Sequence, residues 1–152
     1  MSDLILLIED SADDALFMTR ALAKSGASGT FQIVDDGRKA VDYLSGNGQY
    51  ADRAAYPLPR FVLLDLKLPQ LSGFDVLRWI RSQPALAGLI VVVLTSSNLA
   101  TDIRECYLLG ANSFLSKPPD PTDLVALIRE VSNYWLKTNV GIAPFNGKNG
   151  TF

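Results

Sequence analysis

Apolar positions along the chain gather in five short runs: Leu4–Ile8, Phe31–Val34, Phe61–Leu64, Leu89–Leu94 and Ser113–Leu115. The first, third and fourth are continuous rather than alternating. That pattern predicts strands covered on both faces of a parallel sheet. Each run is followed by residues at helical spacing. Ser11 with Asp14 three residues on resembles a capping box, Ala15, Met18 and Leu22 continue at helical intervals, and Gly26 is a stop. Asp36 or Gly37 opens a second helix carrying Val41 and Leu44. Ser72 with Asp75 opens a third, with Val76, Leu77 and Ile80 facing inward and Pro84 ending it. A fourth runs through Ile103 and Tyr107 to Gly110. Asp120-Pro121 sets an N-cap before a proline at the first helical position. Leu124, Leu127, Ile128, Val131 and Trp135 then follow at core-facing spacing to about Lys137.

Strands alternating with helices predict an α/β fold with right-handed crossovers. Five units suggest a flavodoxin-like (βα)5 doubly wound sheet of strand order 2-1-3-4-5. A dinucleotide-binding order would need a glycine-rich turn after the first strand. The turn here is Glu9-Asp10-Ser11-Ala12-Asp13-Asp14, which would repel a pyrophosphate. A single domain is expected over 3–137, with a tail at 138–152 that is either flexible or an arm docking on a second copy. Two segments break the alternation: Gly46–Arg60, with Pro57, Pro59 and two tyrosines, and the Gly- and Asn-containing tail Thr138–Phe152. Connections of this length are functional or disordered.

Composition changes the picture chiefly by one absence. Among 152 residues there is no histidine. That excludes a Ser-His-Asp triad, a His-ligated zinc and a phosphohistidine donor within the chain. The lone Cys106 has no internal disulfide partner and fits a reducing compartment. Fourteen basic against sixteen acidic side chains give a net charge of −2 with no basic run, so no nucleic-acid partner is expected. The apolar runs are far shorter than the ~20 residues of a membrane span. Acids at Asp3, Glu9 and Asp10 argue against a signal peptide. The expected location is cytoplasmic.

Open parallel sheets bind ligands at the carboxyl ends of their strands, beside the topological switch point. Glu9 and Asp10 follow the first run, Asp65 the third, Thr95 and Ser96 the fourth, and Lys117-Pro118 the fifth. The first and third strands are neighbours in the expected order, so Asp10 and Asp65 should converge. Clustered carboxylates require a counter-charge. An all-oxygen set without histidine or thiolate points to Mg²⁺. A carboxylate such as Asp65 held beside Mg²⁺ can attack a phosphoryl group, with the metal and Lys117 neutralising charge and Thr95 donating a hydrogen bond. Any one of these residues alone reads as a solvated loop end or a surface lysine. Their co-occurrence at adjacent strand ends favours a site.

These residues carry a family resemblance. Glu9-Asp10, then Asp65 in Leu-Leu-Asp-Leu-Lys-Leu-Pro-x-x-x-Gly with Pro69 and Gly73, then Thr95-Ser96, then Lys117-Pro118 resembles the receiver domain of two-component response regulators, over about residues 3–137. The resemblance implies that Asp65 accepts phosphate from a histidine kinase. It implies Mg²⁺ binding by Asp10, Asp65 and the backbone carbonyl of Lys67, with Glu9 acting mainly through a metal-bound water. It gives Lys117 a phosphate-bridging role, makes Thr95 and Phe114 the switch pair, and suggests a cis Lys117–Pro118 bond. Three departures stand out. Glu9 replaces a commoner aspartate, Phe114 a frequent tyrosine, and Lys67, with Ser97, sits where phosphoryl lifetime is tuned. The loop at 46–60 and the Asn133-Tyr134-Trp135-Leu136 ending further resemble stand-alone receivers that partner bacterial and cyanobacterial phytochromes.

The function expected is a phosphorylation-dependent signalling switch, with a phytochrome-type histidine kinase as donor. Alternatives are a phosphorelay intermediate and a phosphorylation-independent interaction module. A phosphatase or phosphotransferase would want an acid two residues after Asp65, where Lys67 stands. So no enzyme is expected beyond self-phosphorylation and autodephosphorylation. Output is expected through partner contacts, including a homodimer through the fourth helix, fifth strand and fifth helix. Ile103, Tyr107, Tyr134, Trp135 and Phe145 are the candidate dimer residues.

Overall fold

In the computed structural model, which describes residues 3–142, the five apolar runs form one parallel sheet in the order β2-β1-β3-β4-β5. The strands are β1 (Leu4–Ile8), β2 (Thr30–Val34), β3 (Phe61–Leu64), β4 (Ile90–Thr95) and β5 (Ser113–Ser116). β1 runs beside β2 from Leu4↔Thr30 to Ile8↔Val34 and beside β3 from Ile5↔Phe61 to Ile8↔Leu64. That register sets residues 9 and 65 side by side just beyond the strand ends.

The helices are α1 (Ala12–Ser25), α2 (Gly37–Ser45), α3 (Gly73–Ser82), α4 (Ala100–Leu108) and α5 (Pro121–Asn133), the last continued by a π-helical turn, Tyr134–Thr138. Ile5, Leu7, Phe61, Leu63, Val92 and Leu94 pack on one face against Met18, Leu22 and Ile128 of α1 and α5. Leu6, Ile8, Val62, Leu64 and Val91 pack on the other against Tyr43, Leu44, Val76, Leu77 and Ile80 of α2 and α3. Alternate residues of each central strand therefore serve opposite layers, which is why these strands read as unbroken apolar runs.

The fold class, strand order and all five helices agree with the sequence reading. The 46–60 connection does have internal order. It contains a short 3₁₀ turn at Gly48–Tyr50. The Arg53 guanidinium donates to the carbonyls of Tyr43 (2.7 Å), Leu44 (2.8 Å) and Tyr56 (2.9 Å). Leu44 and Tyr43 lie in the last turn of α2, where Tyr43 O also accepts the Gly46 N–H at 3.1 Å, so Arg53 adds to the cap of that helix from outside. The Tyr43 hydroxyl donates to Pro57 O at 2.8 Å, and Tyr43, Tyr50 and Tyr56 stack edge-on or tilted, 5.0–6.1 Å apart. Arg60 N–H then donates to Leu4 O at 2.7 Å, which places this segment at the amino ends of the strands, opposite the carboxylates. Among the described residues no helix is long and apolar enough to cross a membrane.

Candidate functional site

The carboxyl end of the sheet gathers the acids the sequence singled out. Glu9 and Asp65 are buried, with 2% and 8% of their surface exposed, and Asp10 is exposed. One carboxylate oxygen from each of the three lies within 4.8 Å of the others. This donor set fits a hard divalent cation, with one exposed side open for water. Asp10 would hold it from the end of β1 and Asp65 from the end of β3, with the Glu9 carboxylate beside them, directly or through a water.

Lys117 reaches in from the end of β5. Its Nζ donates to Glu9 Oε1, to Asp65 Oδ2 at 3.1 Å and to Asp14 Oδ2 at 3.1 Å. Its backbone N–H donates to Thr95 O at 2.8 Å, so the β4–β5 pairing positions it. Asp65 Oδ1 accepts the Leu66 N–H at 2.7 Å, and Glu9 Oε2 accepts the Ser11 N–H at 3.3 Å. Burial pushes the Glu9 carboxyl up to about 7; the Lys117 hydrogen bond opposes this and the Asp65 charge adds to it. For Lys117, burial acts to lower the pKa. The Glu9 hydrogen bond and the charges of Asp65 and Glu9 more than offset it, holding the ammonium above the ordinary lysine range.

Two glycines shape the loop after Asp65. A Cβ at Gly73 would stand 2.2 Å from Asp65 O, and one at Gly37 would stand 2.1 Å from Leu71 O. Gly73 N–H donates to Leu66 O at 2.8 Å and Gly37 N–H to Pro69 O at 3.2 Å. The starts of α2 and α3 thus press directly on the segment that carries Asp65, which only a residue without Cβ permits. Gln70 turns the loop tip in a left-handed conformation (φ 69°). Lys67 is exposed at the loop's beginning, outside the ion pairs found among the described residues.

The remaining candidates are more scattered. Thr95 is 1% exposed at the end of β4, and its Oγ1 accepts the Ser97 N–H at 3.4 Å. Ser97 Oγ donates to Asp102 Oδ2 of α4 at 2.6 Å, tying the loop to that helix. Ser96 is exposed; with Lys117, Pro118 and Asp14 it lines the end of a groove of about 860 Å³ between α1 and α5. Phe114 is half-buried against Leu66, Val93 and Cys106, and its N–H donates to the Tyr107 hydroxyl at 3.1 Å. The Lys117–Pro118 bond is trans, as no cis peptide occurs among the described residues. The expected cis form is therefore corrected; trans is favoured before proline by about 0.5–1 kcal/mol.

Of the dimer candidates, Tyr107 and Tyr134 are half-exposed and Ile103 is partly buried. Trp135 packs partly into the α1–α5 layer, edge-on to Tyr134 at 4.7 Å. Phe145 lies outside the described residues.

Sequence reasoning missed Asp14 as a lysine partner. The Ser11–Asp14 spacing suggested a reciprocal cap, but only half of it forms: Ser11 Oγ accepts the Asp14 N–H at 3.2 Å. The Asp14 carboxylate goes to Lys117. At Ser72–Asp75 both halves are present.

Comparison with known proteins gives a consistent picture. The response regulator receiver domain model matches residues 5–129. The probable methanogenesis regulatory protein FilR2 of Methanothrix harundinacea is 38% identical over 144 residues, covering 93% of this chain and 88% of that one. The phosphorylated cyanobacterial phytochrome response regulator RcpA superposes with a TM-score of 0.86 at 33% identity, covering 94% of this chain and 100% of that one. The Mn²⁺-bound form of response regulator Rcp1, a protein of Synechocystis sp., superposes with a TM-score of 0.82 at 34% identity, covering 93% and 99%.

Proposed function

The chain belongs to the response regulator receiver domain family and is related to phytochrome response regulators; from that premise we propose that Asp65 accepts a phosphoryl group from a histidine kinase and that the aspartyl phosphate changes the protein's contacts. The observation that carries this reading is the convergence of Glu9, Asp10 and Asp65 within 4.8 Å of one another, with the Lys117 ammonium on Asp65 Oδ2. A carboxylate oxygen of Asp65 attacks phosphorus. The phosphorus–nitrogen bond of the donor histidine breaks, and its electron pair returns to the imidazole, which leaves the site. A Mg²⁺ ion held by Asp10, Asp65 and the Lys67 carbonyl, with Glu9 acting through water, would supply neutralising charge on the phosphoryl oxygens. Lys117 and the Thr95 hydroxyl donate hydrogen bonds to the phosphoryl group. Thr95 moves toward it, Phe114 repacks, and α4, β5 and α5 shift between two arrangements. Ser96 and Pro118 border the site.

The test is direct loading. Incubation with a small acyl phosphate and Mg²⁺ should add one phosphoryl group by mass, removable by hydroxylamine and absent when the metal is chelated. Loading at an undiminished rate under chelation would overturn the reading.

The phytochrome response regulators among the relatives support a phytochrome-type kinase as donor, and the receiver family match over residues 5–129 supports a cytoplasmic setting with 3–137 as the working unit. The exposed side chains Leu99, Tyr107, Leu108 and Tyr134, in or next to α4 and after α5 and 49–73% accessible, support a homodimer through α4, β5 and α5, to which the partly buried Ile103 and Trp135 would contribute. Sedimentation of the full chain should show a dimer that Tyr107→Ala with Tyr134→Ala weakens. A wild-type monomer at micromolar concentration refutes it.

A further inference from the structure

Lys117 carries three N–H donors, and all three are spent in this structure, on Glu9, Asp14 and Asp65. Glu9 and Asp65 belong to the carboxylate set that fits a cation; Asp14 does not. Their surroundings differ as well. The Glu9 side chain is 1% exposed and that of Asp65 11%, whereas that of Asp14 is 44% exposed. A phosphoryl group on Asp65 needs donors from Lys117: the one now on Asp65 Oδ2 can pass to the phosphoryl oxygens, and any further donor has to come from Glu9 or Asp14. Glu9 is the costlier partner to give up, because its side chain is 1% exposed and water cannot replace the lysine there. Asp14 is given up more readily, because water is at hand to replace the lysine.

Resting on the phosphoacceptor reading above, we propose that Asp14 is a positioning residue that tethers Lys117 toward the start of α1 and competes with the phosphoryl group for it. In the unphosphorylated protein the tether holds the ammonium in a three-way clamp. Full engagement of the phosphoryl group by the lysine draws the ammonium off the Asp14 arm. The strength of that arm then sets how readily the site takes up a tetrahedral anion beside Asp65. Asp14 acts only through the lysine and has no contact with the reacting atoms.

The experiment measures binding of beryllium trifluoride, a phosphoryl mimic that needs no transfer chemistry, at saturating Mg²⁺. Asp14→Asn keeps the size and removes the charge. It should tighten binding by about threefold to tenfold, the range of a partly exposed ion pair. Asp14→Glu restores the charge and should lie within about twofold of wild type. Asp13→Asn makes the same change of net charge at the adjacent exposed position of α1, which is not a Lys117 partner, and should leave binding at the wild-type level. The proposal is overturned if Asp14→Asn binds the mimic no better than wild type, or if Asp13→Asn tightens it equally, which would reduce the effect to bulk charge. Wild-type protein that binds the mimic while Asp14→Asn is unchanged defeats this inference and leaves the phosphoacceptor reading standing. Wild-type protein that fails to bind it defeats both.

Discussion

Asp65→Asn should abolish phosphoryl loading and at the same time make the metal-free fold more stable. The loss of loading follows from the nucleophile: a neutral amide, its nitrogen lone pair delocalised into the carbonyl, attacks phosphorus far less well than a carboxylate, and Asp65 is the acid of the cluster that receives both the Leu66 N–H and the Lys117 ammonium. The gain in stability follows from the neighbours. Glu9 is buried beside Asp65, and the Asp65 charge helps push the Glu9 carboxyl to about 7. Removing that charge leaves Lys117 shared between Glu9 and Asp14 alone. A gain of about 1 kcal/mol is expected, or roughly 2–4 °C in melting temperature for a domain this size. The pH dependence has a definite sign. A carboxyl whose folded pKa exceeds its unfolded value of 4.5 weakens the fold as pH rises through the window between them. The substitution removes part of that penalty. Its gain should therefore be full near pH 8, where Glu9 is ionised, and fade toward about pH 5. Thermal melts with chelator present check it; a variant less stable than wild type near pH 8 would contradict the picture of mutual repulsion.

Lys117→Met should have the opposite effect on stability, and a larger one. The lysine is the counter-charge for a Glu9 side chain that is 1% exposed and an Asp65 side chain that is 11% exposed. Taking away one partner of a buried pair typically costs about 3–5 kcal/mol, because the other charge stays behind without compensation. Methionine fills similar volume, so little of the loss arises from packing. The loss should be greatest near pH 8 and shrink on acidification, since a protonated Glu9 needs no ammonium beside it. Lys117 itself stays charged throughout this range, as its pKa is displaced upward from 10.5. Equilibrium urea unfolding at the two pH values measures both halves. A pH-independent loss would show that Glu9 does not carry the effect.

The fold was largely legible because the central strands are covered on both sides. A strand such as Phe61–Leu64 has no polar face to give, so its apolar run announces both the strand and the two helical layers. Helix starts were legible where a side chain caps them, as at Ser11, Asp36, Ser72 and Asp120. The start of α4 was not, because Leu99 holds the capping position and supplies no side-chain acceptor. The order inside 46–60 was also hidden. Arg53 acts through its guanidinium on carbonyls, and carbonyls are the same at every position.

The site divides in the same way. Strand-end position brought Glu9, Asp10, Asp65 and Lys117 to one place, because chain order and sheet order together fix which strand ends are neighbours. The bonding within that place depends on distances that spacing does not encode. Ser11–Asp14 and Ser72–Asp75 share one sequence signature. They differ because a lysine 103 positions away reaches the first and none reaches the second. Asp75 finds Arg78 instead, on its own helix, and stays within its cap. The Tyr107 hydroxyl on the Phe114 N–H was unreadable for a related reason. It seals a free edge of the sheet, and which group covers an edge is settled only when α4 is packed.

The half-formed cap at the start of α1 has one more consequence. Ser11 N–H, which a complete cap would hand to Asp14, is given to Glu9, while the Asp14 carboxylate is given to Lys117. The first turn of α1 and the ligand site therefore draw on the same two acids. Free energy that orders one is shared with the other, and linkage makes the exchange reciprocal. A ligand that claims Glu9 or releases Lys117 changes how firmly α1 begins. Anything that steadies that first turn from outside changes the ligand's affinity by the same factor.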